Sequence, residues 1–230
     1  MTRLLVQVEG QTEETFVNCI LAPHLYEHGY TLVSARLIGN ARQRDHRGGI
    51  APWPAARRDI IRHLREDRGC IATTMVDYYA MPQLGAEAWP GRTGASSLPQ
   101  HQRANAVEQA MAADIPADID TDRFVPYLNM HEFEALLFSD CAACARGMDR
   151  PDLEAALTAI RAQFGTPEDI NDSSETAPLK RFAALIPGYQ KVLTGNLAAL
   201  EIGLAAMRRE CPHFREWLER LETHRLLAGA

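Results

Sequence analysis

Apolar runs alternate with segments of helical periodicity through the first part of the chain. Leu4-Leu5-Val6-Gln7-Val8 has the pattern of a buried strand. Residues 31–38 alternate in hydrophobicity, 70–76 form a second buried apolar run, and 123–129 give a further strand. Between them, 12–28 carry Phe16, Cys19, Ile20 and Leu25 near one side, with Pro23 expected to kink or end the helix. Residues 54–67 start a helix at Pro54, and 99–113 form another. Residues 130–138 are apolar with two glutamates and read as helical. This alternation predicts an α/β fold with a parallel or mixed sheet flanked by helices. Beyond Asp149 the strand signal stops, and 151–163, 177–186, 188–209 and 212–226 all read as helices. The predicted division is an α/β core over 1–140 and a helical C-terminal region over 141–230 packed on it.

Acidic residues fall at the strand ends. Glu9 closes the first strand, Gly10 allows a turn, and Thr12 is expected to cap the next helix with Glu13 and Glu14 at its positive end. Asp77 closes the run 70–76, and Glu132 and Glu134 follow 123–129. Parallel strands carry their carboxyl ends on one edge, so these side chains converge although far apart in sequence. Oxygen donors suit Mg²⁺ or Mn²⁺, which stabilise displacement at phosphorus and activate water. Glu132 and Glu134 lie about 200° apart on a regular helix, so both cannot face one site unless Glu132 sits at an irregular helix start. Glu134 is slightly favoured as the inward residue. The plainer readings are a solvated strand cap for Glu9 and favourable helix-start charge for the pair.

Several motifs recur together. They are Glu9-Gly10-x-Thr12-Glu13, Val76-Asp77-Tyr78-Tyr79-x-x-Pro82, and Pro126-Tyr127-x-x-x-His131-Glu132-Phe133-Glu134-Ala135-Leu136-Leu137-Phe138. Later come Pro167-Glu168-x-Ile170-Asn171, Ala177-Pro178-x-Lys180-Arg181, Pro187-x-Tyr189-x-Lys191 and Arg208-x-x-Cys211-Pro212-His213-Phe214-x-x-Trp217. The set spans nearly the whole chain and resembles the Toprim-like family catalogued as domain of unknown function 4276. The resemblance implies a Toprim core, related to the nucleases of the overcoming-lysogenization-defect type. Those proteins hold divalent metal with a Glu after the first strand and an Asp-x-Asp after a later one. Glu9 matches the first and Asp77 the leading Asp, but Tyr79 stands at the second Asp. That departure removes one ligand, which Glu132 or Glu134 would replace.

Positive charge near a scissile phosphate comes first from Lys180 and Lys191, with Arg181 beside them. A solvated helix face is the competing reading. His213 opens a helix, as an acid–base group or more simply as a packed, capping histidine, and Arg208 is expected to pair with one of the carboxylates. The basic loop with Arg42, Arg44 and Arg47 is a candidate contact to a nucleic-acid backbone. Tyr78, Tyr79 and Trp89 offer rings for base stacking, although tyrosines near strand ends more often pack in the core.

The formal net charge of −6 does not advertise nucleic-acid binding, but metal-dependent nucleases reach phosphates through cations and local patches. Five cysteines argue against a disulfide framework, and the start lacks a secretory apolar stretch, so a cytoplasmic setting is expected. No apolar run approaches membrane-spanning length. Cys141-x-x-Cys144 has only Cys211 and His213 as further zinc ligands, and zinc is not expected. No P-loop or dinucleotide fingerprint is present, so no nucleotide cofactor is expected.

The leading expectation is a metal-dependent nuclease acting on DNA or RNA. The resemblance adds an ABC- or AAA-type ATPase partner in phage defence. The alternatives are a non-enzymatic Toprim-like scaffold or sensor in an ATPase complex, and a hydrolase of a small phosphorylated molecule.

Overall fold

Strands β1 (Thr2–Val8), β2 (Tyr30–Leu37), β3 (Cys70–Asp77), β4 (Phe124–Val125) and β5 (Leu128–Asn129) form one sheet in the computed structural model of the chain. The structure describes residues 1–39, 50–79, 81–170, 176–224 and 227. The strand order is β2-β1-β3-β4, with β5 also on β3, and every pairing is parallel. β1 and β3 are central and covered on both faces, so they read as continuous apolar runs; β2 lies at the edge and is only partly buried.

The strand expected over 123–129 is two short strands broken at Pro126 and Tyr127. Pro126 has no N–H to give the ladder. β3 bridges the gap with side chains: the Thr74 hydroxyl accepts from Tyr127 N at 3.0 Å and donates to Tyr127 O at 2.9 Å. The neighbouring Thr73 hydroxyl donates to Val125 O and accepts from Trp217 Nε1 at 2.9 Å. Two threonines buried in a central strand thus repair a proline-made break.

The first helical segment runs as α1 (Gln11–Phe16), a π-helical stretch Val17–Leu21 and α2 (Ala22–Glu27). Pro23 does not end it. It sits in the first turn of α2, where the wider π turn before it relieves the clash with the carbonyl four residues back. Thr12 does not cap α1 either; the cap position is Gly10, whose N–H donates to the Glu13 carboxylate at 3.0 Å.

Helices α3 (Trp53–Glu66), α4 (Arg92–Ala95) and α5 (Gln100–Ala113) cover one face of the sheet against Ala72, Val76, Phe124 and Leu128. The other face takes α1 and α2 together with α6 (Cys141–Gly147), α7 (Glu154–Arg161), α8 (Pro178–Leu185), α9 (Asn196–Glu210) and α10 (Pro212–Glu222). Leu4, Val6, Ile71 and Met75 share a single apolar cluster there with Phe16, Phe214 and Trp217. The C-terminal helices are therefore the covering layer of that face. Tyr127 is stacked between Trp217 and His213, with ring centroids 4.3 and 5.3 Å away, which ties α10 to the sheet.

Two further segments depart from expectation. Residues 130–138 are not α-helical: His131 takes a left-handed φ of 65°, Glu132 is extended, and a 3₁₀ helix follows over Phe133–Ser139. Residues 188–209 split into a π helix Lys191–Gly195 and α9, which is kinked where Gly203 has φ 73°. Among the described residues no helix is long and apolar enough to cross a membrane.

Replacing Thr74 by valine leaves the buried N–H and C=O of Tyr127 without partners. Urea unfolding should show a loss of about 1–3 kcal/mol. A loss under about 0.5 kcal/mol, the usual span of a neutral substitution, would mean the hydroxyl does not hold the break together.

Candidate active site

The chain leaves β1 for β2 on one side, then returns to β3 on the other side of β1. Parallel sheets open a crevice at the carboxyl ends of the two strands flanking such a reversal. Glu9 follows β1 and Asp77 closes β3, so both stand at that crevice. The Asp77 N–H donates to Glu9 Oε2 at 3.4 Å. Asp77 Oδ1 accepts from Asn129 Nδ2 and from Phe133 N, both at 3.0 Å. Asn129 is the register partner of Asp77 across β3 and β5, which is why its amide arrives there.

Two more carboxylates enter from helices. Glu13, in the first turn of α1, is buried and held by Gly10. Glu134, in the 3₁₀ helix, is 0% exposed. Lys191, at the start of the π helix, places Nζ 3.2 Å from Glu134 Oε2, 3.4 Å from Asp77 Oδ2 and 3.6 Å from Glu13 Oε1. Lys191 is thus the near partner of the Glu134 carboxyl, and no other side chain donates to either of its oxygens among the described residues. A buried carboxylate held mainly by one ion pair is costly.

One ammonium cannot balance so many carboxylates out of water. Burial, then the charges of Asp77 and Glu13, push Glu9 up to about 8. Burial pushes Glu134 up to about 8 against the pull of Lys191. Burial and Asp77 raise Glu13 as well. Burial opposes the charge on Lys191, but Asp77, Glu134 and Glu13 outweigh it and hold the ammonium protonated. The cluster is short of positive charge. Its donors are all oxygens, its carboxylates come from separate elements, and Glu134 has only Lys191 as a close partner among the described residues. Oxygen donors of this kind are what a hard divalent cation takes. No three of these carboxylates bring one oxygen each within 4.8 Å of the others, so side-chain movement would be needed to close a shell.

Glu132 lies beside the cluster, within reach of the charges of Asp77 and Lys191, but one of its oxygens is engaged by another element. Its Oε2 accepts from Leu179 N at 2.9 Å, satisfying the first turn of α8, and burial raises its pKa. Lys180 is exposed on α8, and its charge acts on Glu132. Arg181 does not face the site either: Nε donates to Thr176 O at 2.8 Å and the guanidinium lies over the Phe164 ring. His213 stacks on Tyr127, with Nε2 2.8 Å from Glu108 Oε1, so it is a packed residue of the α10 anchor. Arg208 pairs with Glu222 and Glu219, not with the strand-end carboxylates. Trp89 and Tyr78 are buried, whereas Tyr79 is 45% exposed. Arg42, Arg44 and Arg47 lie outside the described residues. A cavity of about 690 Å³ lined by Ala112, Phe124 and Arg220 opens at the start of β4, away from all of this chemistry.

Glu13 and Asn129 belong to the site although sequence reasoning passed over them. Glu13 had a readable signal: it lies one helical turn after Glu9, in a helix that begins at the carboxyl edge. Asn129 had none, since only strand register brings it to Asp77.

Fold and site together define an α/β protein with an oxygen-rich acidic centre at the switch point of a parallel sheet. The chain belongs to the family described as domain of unknown function DUF4276, whose model matches residues 8–222. No curated protein and no solved structure matches the chain.

In the metal-free chain, folded Glu9 and Glu134 keep protons up to about pH 8, whereas unfolding returns them to the ordinary value of 4.5. Between those values the folded state binds more protons, so stability is greatest below the window and is lost as pH rises through about 8. Without divalent cations the urea midpoint should fall across this range, Glu134→Gln should flatten the fall, and Mg²⁺ should restore the high-pH value. A midpoint that rises across the window would contradict the assignment.

Proposed function

We propose that the chain is a divalent-metal-dependent hydrolase of phosphodiester bonds in DNA or RNA. The observation that carries this reading is the fully buried Glu134, gathered with Glu13 and Asp77 around Lys191 at the switch-point crevice, with Glu9 joined to them through the Asp77 N–H. Glu9, Asp77 and Glu134 would hold Mg²⁺ or Mn²⁺, with Glu13 beside them. When bound, the ion supplies charge stabilisation to a phosphoryl group and activates water.

The chain's own residues do the rest. Asn129 Nδ2 and Phe133 N fix one Asp77 oxygen and leave the other toward the centre. Lys191 carries a permanent positive charge into the same space, suited to steadying the phosphate. Tyr79, at the position where the Toprim pattern has its second Asp, offers an exposed ring for a nucleobase. Glu13 and Glu134 make up for the missing carboxylate. The resemblance to Toprim nucleases supports the same chemistry, a cytoplasmic setting, and an ABC- or AAA-type ATPase partner in phage defence.

One observation favours a second reading, a non-catalytic scaffold within an ATPase complex. Lys191 already supplies the acidic cluster with an internal cation.

Cleavage of plasmid DNA, single-stranded DNA and tRNA with Mg²⁺ or Mn²⁺ separates the two readings. Wild type should cut at least one of these, Glu9→Gln and Asp77→Asn should abolish cutting, and Lys191→Met should slow it by about 10²–10³-fold. Undiminished cleavage by folded Glu9→Gln would sink the assignment. No cleavage by folded wild type, with and without the ATPase, would favour the scaffold.

A further inference from the structure

We propose that His24, His28 and Glu222 form a separate site for a borderline transition-metal ion, Zn²⁺ in the first instance, which clips α2 to the end of α10. It is independent of the acidic centre in both residues and ligand chemistry.

His24 lies in α2 and His28 follows four residues on, so the two imidazoles share a face, with ring centroids 4.4 Å apart. Glu222 is the last residue of α10. Ligand atoms of the three residues all lie within 4.8 Å of one another. His24 Nε2 is 2.7 Å from Glu222 Oε1, and His28 Nε2 is 4.0 Å from the same oxygen. Tetrahedral zinc spaces its nitrogen and oxygen ligands about 3.3 Å apart, so small side-chain rotations close the set.

The histidines are also oriented for the task. His28 Nδ1 lies 2.9 Å from the backbone oxygen of His24. A carbonyl only accepts, so Nδ1 carries the hydrogen and Nε2 is left toward Glu222. This is the backbone buttress by which metal-binding histidines fix ring and tautomer. The 2.7 Å contact between His24 and Glu222 holds a proton, because two lone pairs would repel at that distance. Zn²⁺ takes the place of that proton, which leaves to solvent. His24 and His28 are 24% and 35% exposed at the side chain, leaving room for water as a fourth ligand.

Among the described residues, Arg208 pairs with Glu222 alongside the histidines, and Glu219 pairs with Arg208. Arg208 donates to Glu222 Oε1 at 2.8 Å and to Glu219 Oε1 at 3.2 Å. It donates to the same oxygen that faces the histidines, fixing the carboxylate in place, and is itself offset by Glu219. Its positive charge also works against ions that bind through carboxylate attraction alone. Two imidazoles and one carboxylate therefore select Zn²⁺, Co²⁺ or Ni²⁺ over Mg²⁺. The clip joins residues 198 positions apart in the chain and stabilises the folded state by binding it alone.

Equilibrium dialysis of the full chain against Zn²⁺, with excess Mg²⁺ to occupy the acidic centre, tests this. Wild type should retain a single Zn²⁺ and show a higher Tm with it. His28→Gln and Glu222→Gln should each weaken Zn²⁺ at least about tenfold and lose the Tm rise. Equal Zn²⁺ retention in wild type and folded variants would overturn the proposal. Should a variant fail to fold, Co²⁺ added to wild type tests the same site. Selective broadening of the His24 and His28 imidazole NMR signals supports the site, and broadening confined to other histidines overturns it.

Discussion

Mutual repulsion among buried carboxylates is the constraint around which the carboxyl edge of the sheet is organised. Glu9, Glu13, Asp77 and Glu134 arrive from two strand ends and two helix starts; the last three are buried and Glu9 is half-buried. Lys191 relieves part of the repulsion, and backbone N–H groups relieve more: Phe133 at Asp77, Gly10 at Glu13, and Asp77 itself at Glu9. What is left over sits on Glu134. A neutral side chain in its place would remove that conflict outright. Under the proposed function a bound divalent ion offsets it instead.

The covering helices follow from the same constraint. Lys191 reaches the centre because the π helix that carries it packs beside α1, and α9 continues from it over the sheet. Glu132 borders the centre and ties α8 down through Leu179. His213, Tyr127 and Trp217 anchor α10 to β3 through Thr73. The C-terminal helices thus position the site as much as they cover the core.

Much of this was legible in the pattern of the chain. Continuous apolar runs marked β1 and β3, and the acidic residue ending each one marked the crevice. Other parts were not legible because they depend on tertiary context. Periodicity made 130–138 an α-helix, whereas the left-handed His131 and extended Glu132 turn it into a 3₁₀ segment that buries Glu134. The break at Pro126 is invisible as a strand feature until Thr74 is seen to bridge it. Type and motif left Arg181 open between a phosphate contact and a solvated helix face, and His213 between an acid–base group and a packed histidine. The structure places them against Phe164 and Tyr127.

Direct metal binding tests the central claim most sharply. Free Mn²⁺ followed by electron paramagnetic resonance during titration with the protein reports binding without any assumption about substrate. Wild type should bind Mn²⁺, and Glu9→Gln, Asp77→Asn and Glu134→Gln should each weaken that binding at least about tenfold while remaining folded. Mn²⁺ binding that is absent in wild type, or unchanged across the three variants, would contradict the account.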